Sequence, residues 1–170
     1  MKHLVYVSLM VVSFGFVTVT AQTRSASPSV AGEAGIRSWF NQWTKVFTEK
    51  NVDGIMALYA DDVVAYDVVP PLQYIGKEAY RKDYESFLSE YQGNLRLEMR
   101  DLHVGVTGDL GYATGLELIS GTLKSGQKSD VWLRFTSLFR KVNGQWLDFH
   151  DHVSVPADME SGKAMLELKP

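Results

Sequence analysis

The chain contains no cysteine. That excludes a disulfide framework and a lipid-modified N-terminal cysteine. It also lacks an excess of basic charge: 17 Lys and Arg stand against 20 Asp and Glu, a formal charge of −3. No basic stripe or Lys/Arg cluster is present, so nucleic acid is excluded as the expected partner. There is no Asn-x-Ser/Thr sequon, no internal repeat, no linker long enough to divide the chain, and no motif for a cofactor or metal. Apolar runs long enough to span a bilayer are missing too. The one extended run, Leu4 to Val19, is shorter than the ~20 residues a span needs.

That run follows the basic start Met1-Lys2-His3 and precedes the small residues Val19-Thr20-Ala21. The pattern is that of a secretory signal peptide over residues 1–21, cleaved after Ala21. It predicts a secreted or periplasmic protein with no membrane association after cleavage. Residues 22–32, rich in Ser, Ala and Gly, read as a flexible leader. The remainder suits one domain with a core large enough to need no covalent staples.

From Glu33 the pattern is helical. Ile36, Phe40, Trp43 and Phe47 recur every three or four residues, with Trp39 and Val46 beside them, as far as about Lys50. Asn51 can cap a short second helix with Asp53 in its first turn. A β-branched strand, Val63 to Val69, is stopped by Pro70-Pro71. Gly76 opens a third helix, to about Tyr91. Strands follow near 94–106, 110–123, 128–142 and 145–155, separated by Gly108-Asp109, Ser125-Gly126 and Asn143-Gly144. Asn143-Gly144 is the strongest turn signal, since both residues tolerate positive φ. The tail, 159–170, is expected to hold a frayed helix. These elements make an α+β domain over 33–158, with a long sheet curling around the helices and a cavity at its open end.

Three stretches then look familiar: Tyr59-Ala60-Asp61-Asp62, Tyr66-Asp67, and Gly76-Lys77 at a helix start. With Arg134-x-Thr136, Asn143-Gly144-x-Trp146 and His150-x-His152-x-Ser154-x-Pro156 they resemble the SnoaL-like group. That group lies within the nuclear-transport-factor-2-like superfamily, which also holds ketosteroid isomerase. The last block is also similar to the end of the association (hub) domain of calmodulin-dependent kinase II. The resemblance implies a cystatin-like, cone-shaped roll: three N-terminal helices in a strongly curved, mixed, mostly antiparallel sheet. It also implies a homodimer through the sheet. Isomerases, dehydratases, epoxide hydrolases and non-catalytic modules share this fold, so function has to come from the site. By the resemblance, Asp67 stands where steroid isomerases keep their general base. Their oxyanion-hole tyrosine falls at Trp43 and their protonated aspartate near Thr136, so the base position is kept without those donors.

The residues themselves offer three constellations. Asp67 is a candidate base in an apolar mouth of Trp43, Tyr66 and Val68, where burial would raise its pKa; equally it suits a strand-end aspartate bonded to backbone. Arg134 shares a strand face with Trp132 and Thr136. It suits either an anionic ligand or an ion pair with Asp67, Glu117, Asp148 or Asp151. His150 and His152 share a face of the last strand with Trp146, Asp148 and Ser154, whereas Asp151 lies on the opposite, more apolar face. Alternation turns Asp151 to the cavity and the histidines to the outer sheet, unless a β-bulge reverses the order. The expected ligand set is Trp43, Tyr66, Trp132, Arg134, Asp151, His150 and His152. The expected ligand is a small apolar molecule bearing an anionic or carbonyl group, with no cofactor. Three functions follow: an isomerase or lyase using proton abstraction, a hub-like binding or oligomerisation module, and an Asp–Arg–Asp epoxide-hydrolase-like enzyme.

Overall fold

The computed structural model describes residues 30–170. The expected signal peptide and residues 22–29 of the leader lie outside the described residues. The last three leader positions do not form a loose segment, because α1 spans Val30–Thr48. Gly32 lets that first turn approach the sheet: a Cβ there would stand 2.6 Å from Cγ1 of Val106. The apolar period of α1 buries Ile36, Trp39, Phe40, Trp43 and Phe47. Burial of each such side chain contributes about 1.5–3 kcal/mol. The edge-on contact of Trp39 with Phe139 at 5.0 Å helps fix how the helix sits on the sheet.

Asn51 caps α2 (Val52–Met56) as expected, its side chain accepting from the backbone N–H of Gly54 at 2.9 Å. Strand β1 is Tyr59–Tyr66, earlier than the β-branched run alone suggested. Asp61 and Asp62 sit inside it with exposed side chains, paired to Lys77 at 2.8 Å and to Arg140. A two-residue strand β2, Tyr74–Ile75, precedes α3 (Lys77–Ser89) and has no apolar period long enough to read. Then come β3 (Tyr91–Thr107), β4 (Leu110–Leu123), β5 (Lys128–Val142) and β6 (Gln145–Ser154).

The six strands form one mixed sheet in the order β2-β1-β6-β5-β4-β3. All neighbours are antiparallel except β1 and β6, which run parallel. The β5–β6 hairpin closes at Asn143 and Gly144, with φ of 51° and 85°. Residues 159–170 contain no helix; the tail folds back through an Ala157–Ala164 bridge instead. Among the described residues no helix is long and apolar enough to cross a membrane.

Candidate active site

A cavity of about 110 Å³ lies between α1, α3 and the inner face of the sheet. Its walls are aromatic and aliphatic: Trp39, Phe40, Trp43 and Phe47 from α1, Phe87 from α3, and Ile119, Leu133, Phe135 and Val153 from the sheet. Against this wall stand four carboxyl groups, Asp67, Asp83, Glu117 and Asp151, with Tyr59, Tyr80, Tyr84 and Ser137.

One extra residue in β6 brings Asp148 and Asp151 onto the same inward face. The β5–β6 register pairs Phe139 with Asp148 but Leu138 with His150, so Phe149 is bulged. Before the bulge Trp146 and Asp148 face inward; after it Asp151 does. The Asp148 carboxyl serves the bulge, accepting from the His150 backbone N–H at 3.0 Å. An extra residue flips every later side chain, and that puts both aspartates on one face.

Asp151 is the best-satisfied acid in the cavity. One oxygen accepts from the hydroxyls of Tyr59 and Tyr80, each at 3.0 Å, and the other from Ser137 at 3.0 Å. Tyr59 and Tyr84 join hydroxyls at 2.8 Å. Burial pushes the Asp151 carboxyl up, while the tyrosine and serine donors pull it back. Burial and the Asp151 charge together hold Tyr59, Tyr80 and Tyr84 well above the usual phenol range.

Asp67 lies just beyond β1, at the cavity edge. It accepts from the Val68 backbone N–H at 2.6 Å, and the Tyr80 hydroxyl stands 3.4 Å from its second oxygen. Burial, and next the charge of Asp83, raise its pKa to about 7. Asp83 itself accepts from Tyr74 at 2.8 Å and is raised by burial.

Glu117 differs from the other three. It projects from β4, is only 6% exposed, and makes no hydrogen bond or ion pair. Burial, then the charges of Asp151 and Asp67, raise its pKa to about 8. It is therefore a neutral acid at neutral pH, facing the same cavity as a carboxyl that titrates near neutrality. The indole N–H of Trp43 is likewise buried with no acceptor within the protein. Unpartnered buried groups of this kind call for an explanation.

Of the residues expected at the site, the fold brings Asp67, Trp43 and Asp151 together around the cavity, with Val68 at its rim. It places the other five elsewhere. Arg134 is exposed, on the opposite side of β5 from the inward Leu133, Phe135 and Ser137, and makes no ion pair with Asp67, Glu117, Asp148 or Asp151. Trp132 shares that outer face and stacks under Arg100 at 5.1 Å. Tyr66 is 40% exposed, with its ring edge-on to His150 at 4.9 Å and to His152 at 5.7 Å. The physical reason is strand alternation: each of these side chains falls one residue out of step with the inward set. Among the described residues no group of three His, Cys, Asp or Glu is arranged to hold a metal.

Sequence reasoning did not find Glu117, Asp83, Tyr59, Tyr80 or Tyr84 as cavity residues. Two signals were there. Glu117 is a lone acid in step with the inward Ala113 and Ile119, and Tyr80 and Tyr84 are four apart on α3.

The SnoaL-like domain family matches residues 36–158. No curated protein matches the chain. Among solved structures, an NTF2-like protein of unknown function from Pseudomonas putida KT2440 is 35% identical, with a TM-score of 0.77, over 85% of this chain and 100% of that one. A candidate calcium/calmodulin-dependent protein kinase II association domain from Xanthomonas campestris is 26% identical, TM-score 0.66, over 88% and 100%. A ketosteroid isomerase-like protein from Erwinia carotovora atroseptica SCRI1043 shares the fold at 20% identity, TM-score 0.64, over 74% and 97%.

Proposed function

The chain belongs to the SnoaL-like domain family, and from that premise we propose an isomerase- or lyase-type enzyme acting on a compact apolar carbonyl compound by acid–base proton transfer. One observation carries the reading: a single apolar cavity holds Asp67, titrating at about 7, and the unpartnered acid Glu117, titrating at about 8. Acid–base groups work best with pKa values near the operating pH. Two carboxyls that burial raises into the neutral range can divide the roles of base and acid between them.

In the lyase form of the reaction, ionised Asp67 removes the proton next to the carbonyl. Glu117 gives its proton to a hydroxyl on the next carbon. The C–H and C–O bonds break, a C=C bond forms, and water leaves. The cycle closes when the proton on Asp67 returns to Glu117 through solvent at the cavity mouth. Tyr80, 3.0 Å from Asp151 and 3.4 Å from Asp67, holds the two carboxyls in register. With Arg134 outside the cavity, the Asp–Arg–Asp hydrolase loses the arginine it requires, and so does an anion holder.

The same proposal includes a secretory leader in residues 1–21 and a homodimer formed through the outer sheet. The test is turnover of a simple aryl β-hydroxy ketone, 4-hydroxy-4-phenylbutan-2-one, followed by the absorbance of its conjugated enone. Asp67→Asn and Glu117→Gln are expected to lower kcat about 10²- to 10⁴-fold each. Enone formation that survives both substitutions unchanged sinks the assignment of base and acid, and enone formation no faster than in buffer alone favours a non-catalytic binding module.

A further inference from the structure

The composition of the cavity is one-sided. Among the described residues its lining carries four carboxyl groups and no Lys, Arg or His. An anion entering there would meet like charge and no compensating donor cation. The rest of the lining is largely aromatic, with Trp43 stacked on Phe47 at 4.8 Å and on Trp39 at 6.3 Å, and Phe47 on Phe87 at 6.2 Å.

Asp151 has its hydrogen bonds from Tyr59, Tyr80 and Ser137, and Asp83 has one from Tyr74. Glu117 has none, although it is more than nine-tenths buried and faces the cavity. Ionisation of a carboxyl so placed is favoured when positive charge is brought to it. We infer that this cavity takes a compact hydrophobic monocation, a protonated amine on an apolar body, with the Glu117 carboxylate as its counter-charge.

The inference goes beyond the reaction proposed above and does not need turnover. In both cases Glu117 gives up a proton, to a leaving hydroxyl in the reaction and to solvent when a cation arrives. The titratable groups facing Glu117 are Asp151 from β6, Asp67 beyond β1, Tyr59 from β1, and Tyr80, Asp83 and Tyr84 from α3; α1 contributes none. The tyrosines stay neutral over the working range because burial raises them further. The four carboxyls Glu117, Asp67, Asp83 and Asp151, all raised by burial, are then the groups that set the pH response of amine binding.

The probes are 2-phenylethylamine, 2-phenylethanol and phenylacetate, one body with a positive, neutral or negative end, titrated calorimetrically against the protein from pH 6 to 8.5. At pH 8 the amine is expected to bind at least about tenfold more tightly than the alcohol, and phenylacetate more weakly than either. Amine affinity should rise with pH, by up to about tenfold per unit below pH 8, with close to one proton released per amine bound at pH 7. Glu117→Gln copies the size and neutrality of the protonated acid. It should keep the thermal unfolding midpoint near pH 4.5 and keep alcohol binding, yet lose the preference for the amine. Three results would overturn the inference: an alcohol that binds as well as the amine, an amine preference that survives Glu117→Gln, or no amine binding at millimolar concentration.

Discussion

The hydroxyl of Tyr80 stands 3.0 Å from Oδ2 of Asp151, a contact between α3 and the last strand that spans 71 residues of sequence. Tyr59 meets the same oxygen from β1. Three elements are thus tied at one buried carboxyl. Removing it should cost stability before it costs chemistry. Asp151→Ala takes the acceptor from Ser137 and leaves Tyr59 with only Tyr84 and Tyr80 with only the longer contact to Asp67, and unsatisfied buried groups cost about 1–3 kcal/mol each. The expected net loss is about 2–4 kcal/mol, offset in part by relief of a buried charge. Asp151→Asn, which keeps an acceptor, should lose less than half of that. Urea denaturation of the two variants checks the order.

Stability should fall as pH rises, through Glu117. Its pKa is about 8 in the folded chain against 4.5 for a free glutamate. Between those values the folded state holds a proton that the unfolded state has lost. The stabilisation is therefore complete below about pH 4.5 and disappears as pH rises through 8. Asp67, raised from 3.8 to about 7, acts in the same direction. Glu117→Gln should raise the urea midpoint at pH 8 and leave it unchanged near pH 4.5. A wild-type midpoint that is flat over this range contradicts the prediction.

Asp67→Asn separates binding from turnover. The amide keeps an oxygen for the Val68 N–H and loses basicity. Ligand affinity at pH 6, measured with 2-phenylethanol, is expected to stay within about twofold while kcat collapses, since a basicity-only change acts on the transition state.

Arg134→Ala should change neither ligand affinity nor kcat by more than about twofold. The side chain is exposed on the outer face of β5, and exposed substitutions away from caps and pairs usually shift stability by no more than about 0.5 kcal/mol. A tenfold loss in affinity would return Arg134 to the cavity.

The fold was legible because its signals are local. The α1 stripe from Ile36 to Phe47, the Asn51 cap and the Asn143-Gly144 turn each depend on a few neighbouring residues, and each stands where the pattern put it. That Asp67, Trp43 and Asp151 line one cavity followed from the family resemblance, the α1 stripe and strand alternation respectively. The other side of the cavity was not legible. The bulge at Phe149 is a backbone insertion with no side-chain signature, so alternation alone could not put both Asp148 and Asp151 on the inner face. Arg134 and Trp132 misled because both faces of β5 carry large side chains. What decides between them is the inward set Leu133, Phe135, Ser137 and Phe139, in step with one another but mixed in polarity. Glu117 read as a partner for Arg134, yet the two turn to opposite faces of the sheet and do not pair.

The most direct measurement is a ¹³C NMR titration of the side-chain carboxyls of Glu117 and Asp67 in selectively labelled protein. An acid–base pair in a shared apolar cavity predicts midpoints of about 8 for Glu117 and about 7 for Asp67. Midpoints near 4 for both would mean that solvent reaches the two carboxyls freely, and the proton-transfer reading would fall with them.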